Sequence, residues 1–203
     1  MRSLRGVCCP PRCAPPRAAD VQRLERSDIW AASRLLLKAF EPPGGLNPVQ
    51  RVLVFGEHAL GLRERFVDNV MLKAVDGRSL VGFIEIYTPE YLASQAGTAY
   101  PERVRGLLKP YVASLAVSET VRRQGVGDAL VLAAEERVQG MNRTAIALEV
   151  EESNAAAMAL YTARGYRAMR RDEKGRKLVG DVFFGRSERV TKLWLEKDLT
   201  VGY

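Results

Sequence analysis

One stretch constrains this chain more than any other. The uncharged run Tyr111–Val117 is followed by a polar turn, and then by Gly125-Val126-Gly127 opening a helix to about Gln139. Seven uncharged residues in a row read as a strand buried on both faces, because a strand with one wet face alternates. Such a strand needs neighbours along its edges and layers over its faces, so the rest of the chain must supply strands and helices. Residues 21–25 read as a short strand. Ser27 or Asp28 caps a helix through Phe40, with Ile29, Leu36 and Phe40 among its apolar positions. After the loop Pro42-Pro43-Gly44-Gly45, Asn47-Pro48 supplies a cap and a first helical residue for a helix reaching Phe66. Residues 70–75 and 80–87 form a hairpin about Asp76-Gly77, and residues 88–109 read as irregular. A strand over 144–150 and a helix over 154–163, stopped by Gly165, come next. Two late strands, 166–170 and 190–196, flank a polar loop holding Lys174-Gly175. This order predicts one α/β domain with a mixed sheet over residues 21–203.

The turn after the buried strand has a chemistry of its own. Free N–H groups and the helix dipole at a helix mouth favour an anion, and glycines let a diphosphate approach the backbone. Arg122 and Arg123 add positive charge there. A tight turn before a surface helix would look the same. No Gly-Lys-Ser/Thr follows, so this is not a P-loop, and the third glycine of a dinucleotide fingerprint is absent.

Arg122-x-x-Gly125-x-Gly127 after an apolar strand resembles the acetyl-CoA pyrophosphate loop of the GCN5-related N-acetyltransferases (GNATs). The resemblance implies the fold of that superfamily, a mixed, mostly antiparallel central sheet flanked by helices. It implies that main-chain groups of Leu115 and Val117 pair with the pantetheine arm, while Arg122, Arg123, Gln124, Gly125, Val126, Gly127 and Asp128 hold the diphosphate.

A second constellation spans 148–166. Asn154 and Tyr161 lie two helical turns apart and so share a face, which the alanines between them keep low enough for a thin ligand arm. A small-residue helix packed closely on a sheet, with Asn154 as its N-cap, reads equally well from these residues alone. Leu148-Glu149-Val150, Ser153-Asn154, Leu160-Tyr161 and Gly165-Tyr166 resemble the ribosomal-protein alanine N-acetyltransferase branch of the same superfamily. By that resemblance Glu149 is the base acting through water, Tyr161 is the acid that reprotonates the CoA thiolate, and Asn154 binds the cofactor arm. Glu149 could instead be a surface carboxylate and Tyr161 a core aromatic. Glu85, between Ile84 and Ile86, is a second candidate base or a solvent-facing acid, and Tyr111 a candidate for the acceptor groove. His58 reads as a helix-surface residue.

Composition excludes several other classes. At 203 residues and 47% hydrophobic, the chain can bury roughly two-thirds of its unfolded surface without a disulfide or metal staple. One histidine and three cysteines crowded at positions 8, 9 and 13 predict no metal site. No window approaches the ~18 uncharged apolar residues of a membrane span. Of the net charge of +7, residues 1–20 carry +3 (four arginines against Asp20) and the rest carry +4, too little for a nucleic-acid-binding patch. Residues 1–20 also hold four of the ten prolines and read as a disordered tail or a transit segment. Residues 110–117 resemble plastid members of the superfamily, which implies a chloroplast or other plastid, with mitochondrion or cytoplasm as alternatives. The expected activity is acetyl transfer from acetyl-CoA to a protein or peptide amine, an N-terminal α-amine first. A protein lysine, a small amine and a non-catalytic CoA-binding domain are the alternatives.

Overall fold

The computed structural model describes residues 20–42, 44–94, 109–179 and 186–200. β1 (Asp20–Arg23), a 3-10 turn (Arg26–Asp28), α1 (Ile29–Ala39) and α2 (Pro48–Arg65) lead into the hairpin of β2 (Val70–Asp76) and β3 (Ser79–Tyr87). A short α3 (Pro89–Ser94) precedes β4 (Tyr111–Val117), α4 (Val126–Gly140), β5 (Ala145–Glu151) and α5 (Ala155–Ala163). β6 (Arg167–Asp172), β7 (Arg176–Val179), β8 (Arg186–Arg189) and β9 (Lys192–Asp198) follow. Seven strands make one sheet in the order β1-β2-β3-β4-β5-β9-β6, and β7 with β8 makes a separate ribbon. Within the sheet only the β4–β5 pair is parallel. This is the mixed, mostly antiparallel sheet with flanking helices that was expected.

Local chemistry sets the boundaries. At α2 the Asn47 side chain accepts the Gln50 N–H at 2.9 Å and the Gln50 side chain accepts the Asn47 N–H at 3.1 Å, with Pro48 as first helical residue. Asp28 holds the N-cap position of α1, one of the two expected, but its side chain makes no capping bond to the helix. Its carboxylate accepts from the Glu25 N–H and from Lys73 Nζ at 2.6 Å, so a buried cation on β2 takes it from the helix. The hairpin turn is Gly77-Arg78, one residue later than expected, because Asp76 still pairs with Ser79; Gly77 takes the positive φ (+61°) this turn needs.

Three further expectations are corrected. Residues 88–109 include α3, and the polar loop near Lys174-Gly175 includes β7 and β8, whose charged residues show no alternation to read. β1 starts at Asp20, inside the segment read as tail, and ends at Arg23; residues 1–19, with all three cysteines, lie outside the described residues.

The sheet buries both faces. Leu130, Val131, Ala134 and Val138 of α4 pack on Leu72, Ile84, Val112, Ile146 and Leu148. On the other face Ala32, Leu36 and Leu62 of α1 and α2 cover Met71, Phe83 and Ala116. The first turn of α4 sits so close to β3 that a Cβ at Gly82 would come within 2.8 Å of Leu130 Cδ1 and 3.0 Å of Val126 Cγ1. Gly82 therefore sets where the helix mouth lies.

Candidate active site

β4 and β5 are paired only at Tyr111–Ala147 and Val112–Leu148. Beyond those pairs the strands part, although β4 stays paired with β3, and β5 with β9 along its whole length. The β3–β4 register shifts between Glu85 and Ile86, skipping Ala113 of β4 at the point where β4 leaves β5, and a wedge opens at this parallel seam. The run expected to be buried throughout is accordingly half-open: only Val112 and Ala116 of β4 are buried, because its remaining residues flank the wedge. A cleft of about 210 Å³ fills it. Its walls are residues 112–115 of β4 and 148–151 of β5, closed by α5 and by Lys192.

Leu115, Glu149, Asn154 and Tyr161 all line this one cleft. Glu149 pairs with Trp194 across β5–β9, and its Oε2 accepts from Lys192 Nζ at 2.9 Å. Its side chain is 11% exposed, so a surface carboxylate is not what the fold makes of it. Asn154 caps α5, its side chain accepting the Ala157 N–H at 3.1 Å, so the capping role coexists with a place in the cleft wall. Tyr161 is 5% exposed and packs edge-on against Tyr166 at 5.3 Å between ring centres. Burial pushes its phenol well above the ordinary value, so the proton stays on oxygen across the physiological range.

Val117 and the turn 122–128 lie beside the cleft, at the end of β4. Gly125 caps α4 with a left-handed φ of +83° and offers no side chain, so the first-turn N–H groups are left without a side-chain acceptor. Arg123 is also left-handed (φ +64°), a conformation non-glycine residues adopt only when their surroundings impose it. A Cβ at Gly127 would meet Leu160 Cδ2 at 3.5 Å and Val117 Cγ2 at 3.7 Å, which seats the turn against both β4 and α5. Arg122 Nε donates to the Val117 carbonyl at 3.3 Å, Gln124 donates to the Thr120 carbonyl, and the Asp128 carboxylate pairs with Arg164. Side chains in this turn thus brace the backbone, while the helix mouth presents amides.

Glu85 is not in the cleft wall. It is fully buried under α2, where Arg65 donates from Nε at 2.9 Å and Nη2 at 3.3 Å, which corrects the expectation of a solvent-facing acid. Burial raises its carboxyl pKa and Arg65 pulls it back; the net direction is up. Tyr111 stacks on Trp194 at 5.6 Å and meets Tyr87 at a tilt at 6.4 Å, at the closed end of the wedge. His58 is half-buried in α2, and burial lowers its pKa. Two lining residues come from outside both sequence constellations. Phe40, expected among the apolar positions of the first helix, is 56% exposed at the rim, because α1 ends beside it. Lys192 comes from β9, and no local pattern in the sequence points to it.

Residues 35–166 match the profile of the family described as Acetyltransferase (GNAT) family. The comparison with curated proteins finds no match. Among solved structures, the ribosomal-protein-S18-alanine N-acetyltransferase of Escherichia coli is similar, with a TM-score of 0.61 at 16% identity over 91% of this chain and 96% of that one. The ribosomal-protein-alanine N-acetyltransferase of Brucella melitensis gives 0.61 at 18% identity, over 88% and 99% of the two chains. The yncA protein of Salmonella typhimurium, solved with its cofactor acetyl-CoA, gives 0.60 at 12% identity, over 91% and 96%.

Proposed function

The chain belongs to the acetyltransferase (GNAT) family, and from that premise we propose that it moves the acetyl group of acetyl-CoA onto the N-terminal α-amine of a protein or peptide. The observation that carries this reading is the wedge between β4 and β5, which gathers the Glu149 carboxylate, the buried Tyr161 phenol and an open strand edge beside an uncapped helix mouth. The mouth suits a diphosphate and the strand edge suits an amide-bearing arm. In this reading amides of residues 123–128 hold the diphosphate, Leu115 and Val117 pair with the pantetheine, and Asn154 flanks it. An ammonium acceptor gives a proton to Glu149 through water, and its neutral nitrogen attacks the thioester carbonyl. As the carbon–sulfur bond breaks, Tyr161 donates to the sulfur and is restored by the proton that the attacking nitrogen sheds, while the proton on Glu149 passes to solvent.

The acceptor follows from what one carboxylate can do. A chain α-amine titrates near ~8 and a lysine near ~10.4, so ~3.3 kcal/mol separates their deprotonation costs. A single base whose carboxylate is already paired with Lys192 suits the easier amine. The likeness of 148–166 to the ribosomal-protein alanine branch supports the same choice. Peptides with free N-termini are expected to outcompete blocked peptides carrying internal lysines near pH ~8, as read by mass spectrometry of a peptide library treated with acetyl-CoA. Faster acetylation of the blocked lysine peptides would move the assignment to lysine. The arginine-bearing, acid-poor segment 1–20 supports import into a plastid. A full-length fusion to a fluorescent reporter tests that, and a diffuse cytosolic signal would reject it.

A further inference from the structure

We infer that the protein acetylates its own Lys192, an inference that rests on the acetyl-CoA reading of the cleft. Lys192 is the lysine among the cleft's lining residues, and its Nζ lies 2.9 Å from Glu149 Oε2, the carboxylate proposed as base. Of the other lysines, Lys73 pairs with Asp28, Lys109 with Glu196 and Lys197 with Glu135, all away from the lining, while Lys177 holds the wall residue Glu151 without itself lining the cleft. The Lys192 stem is held in place from below. A Cβ at Gly175 would come within 3.0 Å of Lys192 Cγ, 3.2 Å of Cδ and 2.6 Å of the Val190 carbonyl oxygen, so the backbone at Gly175 is pressed directly against the methylenes. That clamp directs a primary amine into the cavity shared with Tyr161.

The chemistry is the chain's own acyl transfer with an internal acceptor. Nζ gives a proton to Glu149 and attacks the thioester carbonyl. The nitrogen–carbon bond forms and the carbon–sulfur bond breaks. Of the two protons that the ammonium loses, one ends on the CoA sulfur by way of Tyr161 and the other leaves Glu149 for solvent. A lysine is well under ~1% neutral at pH ~8, a penalty of a few hundredfold. Fixing an amine beside the reacting carbon supplies an effective concentration of up to about 10⁵–10⁸ M, which outweighs that penalty. The reaction stops at one acetyl group, because the resulting amide is no longer a nucleophile.

The test incubates the purified full chain with isotopically labelled acetyl-CoA and a peptide library in the same tube, followed by peptide mapping. The label is expected on Lys192 ahead of exposed Lys38 and Lys174, with a fractional rate independent of protein concentration. Lys192→Arg keeps the cation beside Glu149 and takes up no label on this strand, while Tyr161→Phe slows labelling by about 10²-fold or more. Acetylated peptides with an unlabelled Lys192 would overturn the self-acetylation and leave the proposed function standing. Neither product would overturn both. Equal labelling of Lys192 in folded and urea-unfolded protein would overturn it as background chemistry.

Discussion

Tyr161 and Glu149 are placed by packing as much as by sequence. Tyr161 is wedged against Tyr166, so Tyr161→Phe keeps the packing and deletes only the donor. Turnover should fall by about 10²–10⁴-fold with acetyl-CoA affinity little changed, measured by steady-state kinetics beside calorimetry. Unaltered turnover with chemistry rate-limiting would remove Tyr161 from the mechanism. The Arg65–Glu85 pair carries a stability prediction instead. Arg65→Met strands a buried carboxylate and should cost about 3–5 kcal/mol near neutral pH in denaturant unfolding. The native Glu85 carboxyl holds its proton to higher pH than the unfolded chain does, because burial raises its pKa. The native state thus binds more protons between the ordinary glutamate value and the raised one, so Glu85's contribution to stability declines as pH rises through that window. Glu85→Gln should flatten that decline, and the Arg65→Met defect should shrink in acid.

At the scale of elements, the two glycines of the turn do different work. Gly125 alone is left-handed, so Gly125→Ala should destabilise the protein by about 1–2 kcal/mol through backbone strain. Gly127 has ordinary φ and room for a methyl group, so Gly127→Ala should unfold at no lower denaturant concentration than the parent. Gly127→Asp should fold as well yet lose acetyl-CoA affinity in calorimetry, since its carboxylate would stand at the helix mouth. Unchanged affinity would reject the phosphate role of the turn. These elements were legible because their signals are local: a glycine at the mouth of α4, Asn154 capping α5, Asn47-Pro48 opening α2. β7 and β8 were not, because four-residue strands that pair with each other away from the sheet carry no polar–apolar alternation to betray them.

Across the whole molecule the same division holds. The α/β class and the pairing of turn with helix 154–163 could be read along the chain. The partners that set the electrostatics of the site could not, because Lys192 reaches Glu149, and Arg65 reaches Glu85, only after the sheet has formed. Two residue pairs are also all the pairing that joins the four strands β1–β4 to the three strands β5, β9 and β6. In the language of hydrogen exchange, that seam is where the sheet has the fewest backbone bonds to open. The β4 amides beyond Val112 that point away from β3 should exchange among the fastest in the sheet, and those facing β3 among the slowest. A ligand lying along the open edge would act as a missing eighth strand, and added acetyl-CoA should slow the first set while leaving the second unmoved.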